Sequence, residues 1–537
     1  MKMMKKLIAV LTVAVLLVGS LAGCTGGGGG KEGAAQLTGE YIIITAQLNG
    51  LKEEWLANAA DAFTYKTGIQ VQYEFDSMLS SSLQNVLETD GMAVSDLYFV
   101  QGNMWAKWAE AGYIMDLTSL MNEKDVNGKS LKDRLIGNDH YLLENGEETN
   151  YMVPLTYAPT AVAYNKPMMD YLCHDVLGWE EGHDYPINTK ELKEVFAALQ
   201  QTTKNGTKKD LFSYTQSGQS YDVQPMVWSG STGMLEMMVY PWIYQYMGID
   251  NVSKYYGQTQ NFDMLGHDAF YYAYNEMMDL LDIQQDANGE WVSTTSVPGC
   301  LSFNHVTSQQ RFVRGQGLIC PTGSWFYTET ADLIEELGME DKLGFMPTPW
   351  MSDDEGNYLI AEGATPAKDE NGNYQAITRM NAVDYFVIPS AAICPDLAKQ
   401  FLQFIFSEEY LPTLCEDLQS PMCFELDDSK VEKTPWFAEV DKVFDVAAEV
   451  ESWAPTRLCN YGRIGIYYNP DVPPFARLVQ SSFGSSTKLI DSATGKVITD
   501  ASQATGLAVT ENVYKYLQGN YTQGVKRFAD SKKELGV

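Results

Sequence analysis

Positive charge is scarce in this chain: 37 Lys and Arg stand against 70 Asp and Glu, a formal net charge of −33 over 537 residues. Such a surface repels phosphate backbones and anionic headgroups, so nucleic acid is excluded as an expected partner. Histidine is scarcer still. His140, His174, His183, His267 and His305 show no metal-ligand spacing, so neither a metal nor another cofactor is expected. Catalytic signatures are missing as well: there is no His-Glu-x-x-His, no Gly-x-Ser-x-Gly and no P-loop. Gly315-Gln316-Gly317 runs on to Cys320 and so is no dinucleotide fingerprint. With 70 acids some carboxylates fall close by chance, so acid count does not argue for a hydrolase. Beyond the N-terminus no run approaches the ~18 apolar residues of a membrane-crossing helix. No internal repeat is visible. After Cys24, the cysteines are Cys173, Cys300, Cys320, Cys394, Cys415, Cys423 and Cys459, an odd set without zinc spacing. They are expected as small buried hydrophobes, and free thiols in an exported chain fit an anaerobic habitat.

What is present begins with Lys2, Lys5 and Lys6, an apolar run from Leu7 to Val18, and small residues, the order of an export signal. The run is too short to span a bilayer at about twenty residues per crossing. Leu21-Ala22-Gly23-Cys24 resembles a bacterial lipobox, which implies cleavage after residues 1–23 and acylation of Cys24. A diacyl-type anchor holds stably where a single chain does not. Residues 24–39 are then the lipidated cysteine and a Gly-rich tether. The body is rich in aromatics (32 Tyr, 21 Phe, 11 Trp), which excludes disorder, and is long enough for two or three domains.

Past the tether, Tyr41–Thr45 reads as a buried strand, followed by a helix with Leu51, Trp55, Ala59 and Phe63 on one face, stopped by Gly68. Ile69, Val71, Tyr73 and Phe75 alternate with polar residues as a half-exposed strand. A helix near Leu79–Thr89, a strand at Asp96–Val100 and a helix at Trp105–Ala111 complete a β-α-β-α-β-α opening. That alternation predicts a parallel sheet covered on both faces, with ligands beyond the carboxyl ends of its strands. Gln47, Asn49, Gln101 and Asn103 occupy those strand ends and offer both donors and acceptors. Tyr151–Pro154 and Ala161–Pro167 read as extended segments around a polar loop, Pro186 to about Phe312 as mostly helical, and Gly344–Ile393 as β-rich. Asp369, Asn371 and Asn373 loosely resemble a calcium loop, but the spacing suits a hairpin turn.

Several stretches, in order, resemble the extracellular solute-binding proteins of family 1, the lipoproteins of carbohydrate ABC transporters. They are Phe63–Val71, Pro154 with Tyr164-Asn165-Lys166, Pro186–Leu192, Phe312–Leu318, Gly323-Ser324-Trp325, Phe345–Pro349 and Leu397–Leu402. Past Glu425 the likeness is loose, and Asp471–Val509 is longer than usual. The resemblance implies an α/β, type II periplasmic-binding-protein-like fold, with two lobes closing on a ligand cleft through hinge crossovers. Residues 40–158 with 385–425 would form the N-terminal lobe, and 159–384 with 426–537 the C-terminal lobe. It implies a monomeric, non-catalytic protein on the outer face of the cell membrane that captures a carbohydrate for permease subunits, and the many Tyr and Trp residues favour an oligosaccharide.

A saccharide offers flat C–H faces and hydroxyl edges, so its site needs aromatic platforms and fixed polar groups. Trp325 is the leading platform, because Gly-Ser-Trp falls where the family places a stacking aromatic. Trp228 lies among small polar residues in a loop, with Glu236 and Tyr240 on the helix after it. Thr156 and Tyr157 flank the first crossover, while Trp350 follows the Pro347-Thr348-Pro349 turn and Trp453 the acidic Glu449-Val450-Glu451 stretch. Trp105 and Trp108 read as lobe packing. The rival readings are a binder of polyamines or peptides, a surface glycoside hydrolase, and an adhesin.

Overall fold

The structure, a computed structural model, describes residues 35–451 apart from 49, 90–94, 103–104, 137–139, 143–147, 231–233, 252–267, 286–290 and 382–383. Cys24, Asn49, Asn103, His267, Trp453, Cys459 and the 471–509 stretch lie outside the described residues. No helix among the described residues is long and apolar enough to cross a membrane.

The opening follows the expected alternation: β1 (Tyr41–Ala46), α1 (Glu54–Thr67), β2 (Gln70–Phe75), α2 (Leu79–Leu87), β3 (Leu97–Gln101) and α3 (Trp105–Glu110). Leu51 precedes α1 rather than joining it. Gly68 ends α1 in the left-handed region (φ 78°), and a Cβ there would stand 2.2 Å from the Gln36 carbonyl oxygen. That close approach docks the end of the expected tether: Ala35 N–H donates to Tyr65 O and Thr38 N–H to Gly68 O. β1 pairs with β2 and with β3 in parallel. β2 has one neighbour only, so its outer residues Tyr73 and Phe75 stay 40% and 38% exposed, more than a half-buried strand would allow. Trp55, Phe99 and Phe386 pack edge to face beneath this sheet, and Trp105 and Trp108 are buried as expected.

The chain leaves by β4 (Val153–Pro154) and enters β5 (Ala158–Asn165). The link, Leu155-Thr156-Tyr157, is wholly buried rather than a polar loop. Tyr164 and Asn165 close β5, and Asn165 caps the next helix, which starts at Lys166. There follow α4 (Thr189–Asn205), β6 (Gln224–Met226), α5 (Glu236–Met247), α6 (Asp268–Leu281), α7 (His305–Val313), β7 (Gly317–Gly323), α8 (Phe326–Leu337), β8 (Leu343–Met346) and β9 (Ala376–Asn381). Then come β10 (Asp384–Val387), α9 (Pro395–Ile405), α10 (Leu411–Leu418), α11 (Pro435–Val446) and β11 (Ala447–Glu451). The 186–312 region is less helical than expected: a hairpin joins Ser213–Gln216 to Gln219–Asp222. Ser217 and Gly218, with φ of 50° and 79°, form a primed turn whose twist suits paired strands.

Two main sheets result. The first has the order β2-β1-β3-β10-β4; the second runs β6-β7-β5-β9-β11, with β8 also on β5. Gln101 at the end of β3 faces Asp384 at the start of β10, and Pro154 at the end of β4 faces Tyr385. In the second sheet Gly323, ending β7, faces Thr160, and Asn381, ending β9, faces Ala158. The link 155–157 joins strand ends, and β9 ends at Asn381 shortly before β10 begins at Asp384, so the sheets present those ends to each other across a seam. A third link runs beside the first: Tyr157 N–H donates to Pro421 O, and Cys423 N–H to Leu155 O.

Beyond β8, two turns share Asp-x-x-Gly-Asn-Tyr, at Asp353–Tyr358 and Asp369–Tyr374, a short repetition that the sequence reading missed. In each, the aspartate carboxylate accepts backbone N–H groups two and four residues on. Of the six described cysteines, all but Cys394 are buried.

Candidate functional site

On the first sheet's side of the seam, the polar groups are already engaged with one another. Asp384 accepts from Thr156 Oγ1 at 2.7 Å and from Gln101 Nε2 at 2.9 Å. Burial pushes the Asp384 carboxyl above its usual range, and these two hydrogen bonds oppose that shift. Gln47, 5% exposed, accepts the Ser80 N–H at the start of α2 through Oε1 at 2.8 Å. Three predicted residues, Gln101, Thr156 and Gln47, therefore lie where strand ends meet the seam, each with a protein partner.

The second sheet's side is built on β7. Gly323 ends that strand beneath the Trp325 indole: a Cβ at Gly323 would stand 2.2 Å from Trp325 Cζ3, so only glycine lets the ring lie on the backbone. Trp325 is the N-cap of α8 and is partly exposed. Glu329 lies one turn on, its N–H donating to Trp325 O at 3.2 Å, so the two side chains share a helix face. Glu329 Oε1 is 3.5 Å from His305 Nε2, and Glu329 Oε2 is buried without a hydrogen-bond partner among the described residues. That carboxylate raises the His305 pKa against the lowering effect of burial. Gly50, in the loop after β1, completes the approach: with φ of 82°, it would place a Cβ 3.1 Å from Glu329 Oε1.

Other predicted residues sit elsewhere. Trp228 is 2% exposed and its Nε1 donates to Ser296 Oγ at 2.8 Å, a packed indole. Glu236 and Tyr240 lie a turn apart on α5, each 6% exposed. Trp350 pairs with Asn188 and clusters with Tyr358 and Tyr374, which stack at 4.5 Å. Tyr157 turns toward the β11 side, stacking with Phe444 and lining a 440 Å³ cavity with Met422, Phe437 and Glu449. Glu329, His305, Gly50 and Asp384 were not singled out from the sequence. The one available signal was the i, i+4 spacing of Trp325 and Glu329. No group of three or more His, Cys, Asp or Glu among the described residues is arranged to hold a metal.

The family described as bacterial extracellular solute-binding protein matches residues 46–297. No curated protein matches the chain. Among solved structures, a probable secreted solute-binding lipoprotein from Streptomyces coelicolor has a TM-score of 0.56 at 14% identity, covering 88% of this chain and 98% of that one. A chitin oligosaccharide binding protein gives a TM-score of 0.56 at 15% identity, covering 89% and 99%. RafE in complex with raffinose gives 0.54 at 15% identity, covering 89% and 99%. At such identities the likeness is one of fold, and it is the type II periplasmic-binding-protein-like fold.

Proposed function

We propose that this chain, whose residues 46–297 match the bacterial extracellular solute-binding protein family, captures a saccharide at the seam between its sheets and delivers it to an ABC permease. The observation that carries this reading is the pairing of a partly exposed indole, Trp325, with the Glu329 carboxylate one turn on, facing the Gly50 loop of the other sheet. An aromatic face beside a polar edge is what a sugar ring requires. That chitin oligosaccharide and raffinose binders share the fold supports the same class of ligand. The sheets are read as the cores of two lobes, 40–158 with 385–425 and 159–384 with 426–537. The three links between them act as hinges. Cys24 is the lipid attachment, and the protein works as a monomer at the outer face of the membrane. Transfer requires different affinities of the open and closed forms, not bond chemistry.

The test is calorimetric titration of the purified protein with raffinose, chitotriose, xylotriose and maltotriose, with spermidine and a tripeptide alongside, and chromatography of each mixture. A trisaccharide bound and recovered intact is expected. Binding of only the amine or peptide, or recovery of cleaved sugar, overturns the reading. At 100 times its dissociation constant the ligand should stabilise the fold by about 2.7 kcal/mol.

A further inference from the structure

Glu329 differs from the other acids at the seam. Its side chain is 10% exposed, yet Oε2 finds no donor among the described residues. Burying a carboxylate oxygen without a donor is unfavourable, and native proteins rarely leave one so. The groups around it explain both the burial and the orphaning. His305, at the first turn of α7, addresses Oε1 only. Gly50, from the loop after β1, covers the carboxylate but brings no side chain to donate. Its positive φ and the 3.1 Å clearance at its absent Cβ mean that the first sheet's loop comes this close only because the residue is glycine. The orphan oxygen thus lies where the two sheets' edges touch, one helical turn from Trp325.

We propose that Glu329 couples closure of the seam to ligand: its Oε2 accepts a hydroxyl of a sugar ring stacked on Trp325, and closure without that donor strands the oxygen. His305 already sets an imidazole against Oε1, so the missing partner is a neutral hydroxyl rather than a second cation. The carboxylate then works in two directions. It raises the free energy of closing on nothing, and it rewards closing on a polyol, which is the differential affinity that delivery needs. This inference rests on the saccharide-capture reading above, and the experiment separates the two.

The full-length protein and its Glu329→Leu, Glu329→Gln and Trp325→Ala variants are titrated with raffinose, chitotriose, xylotriose and maltotriose. Their radii of gyration are measured by solution scattering with and without sugar. Glu329→Leu is expected to weaken the best trisaccharide at least about tenfold and to shift the unliganded radius toward the liganded one. Glu329→Gln, which keeps size and fold should the leucine variant misfold, is expected to lose less affinity but in the same direction. If both Glu329 variants bind as the parent does while Trp325→Ala loses binding, the coupling role is overturned and saccharide capture stands. If Trp325→Ala also binds unchanged, or the parent binds none of the four sugars, both fall.

Discussion

The two edges of the seam are built on opposite principles. At the first sheet's edge, Gln47, Gln101 and Thr156 are tied to Ser80 and to the buried Asp384. At the second sheet's edge, Trp325 keeps part of its face open and Glu329 keeps an oxygen unsatisfied. Satisfied polar networks rigidify what they join, whereas an unsatisfied buried group has most to gain from a new partner. A strand-end amide is therefore weak evidence of a ligand contact until its hydrogen bonds are accounted for. On the proposed reading the first edge supplies shape and the second supplies recognition.

Trp325→Ala should break the comparison most sharply. A stacking indole at the centre of a site behaves as a hot spot, so trisaccharide binding should weaken by about 2 kcal/mol or more, roughly thirtyfold. Calorimetry reads the loss, and unfolding in denaturant should move little by comparison. Asp384→Ala tests the other edge. It removes the acceptor of the buried Thr156 hydroxyl and one contact of the Gln101 amide, which should lower stability by about 1–3 kcal/mol. Urea unfolding measures that directly. An affinity loss in this variant larger than that of Trp325→Ala would reverse the assignment of roles.

Much of this arrangement could be read from residues alone, and the remainder could not, for identifiable reasons. The end of α1 was legible because its chemistry is local: Gly68 stops it. Asn188, which caps α4 by accepting the Glu191 N–H, and Asn304, which caps α7 by accepting the Thr307 N–H, use chemistry just as local but were not read as caps from the sequence. Gly-Ser-Trp stood out through the family resemblance, and the strand Gly317–Gly323 that leads into it was not read from the sequence. Trp228 was not separable into loop platform or core, because small polar neighbours serve either, and only Ser296, distant in sequence, decides its packing. Asp384 and Glu329 were invisible for a different reason. Among 70 acids a single carboxylate carries no pattern. Each acquires meaning only when residues far away in the chain are brought to it, Gln101 and Thr156 in one case, Gly50 and His305 in the other.

Gly50→Ala sharpens the contact between the edges. The substitution places a Cβ on a backbone with φ of 82° and within 3.1 Å of Glu329 Oε1. Strain of this kind costs about 1–2 kcal/mol where the backbone keeps its conformation. If the loop yields instead, stability is preserved and sugar affinity falls, because the first edge no longer reaches the second. Thermal unfolding and calorimetry on one preparation distinguish these outcomes, and no change in either would mean that the loop and Glu329 do not meet in solution.

The smallest effect expected is the pH dependence of the His305–Glu329 pair. Glu329 raises the His305 pKa above the ordinary 6.5, so the folded protein holds this proton more tightly than the unfolded chain. The stabilisation is therefore complete below about pH 6.5 and disappears as pH rises through the raised folded value. The imidazole is 41% exposed and the separation is 3.5 Å, so solvent screening should keep the contribution below about 1 kcal/mol. His174 has a raised pKa too, chiefly through its hydrogen bond to the Trp179 carbonyl, and adds a slope of the same sign. Subtracting the unfolding curves of His305→Gln from those of the parent isolates the pair. A residual slope that falls with rising pH is expected, and a flat difference would show that the second edge owes its geometry to Gly50 and α8 rather than to charge.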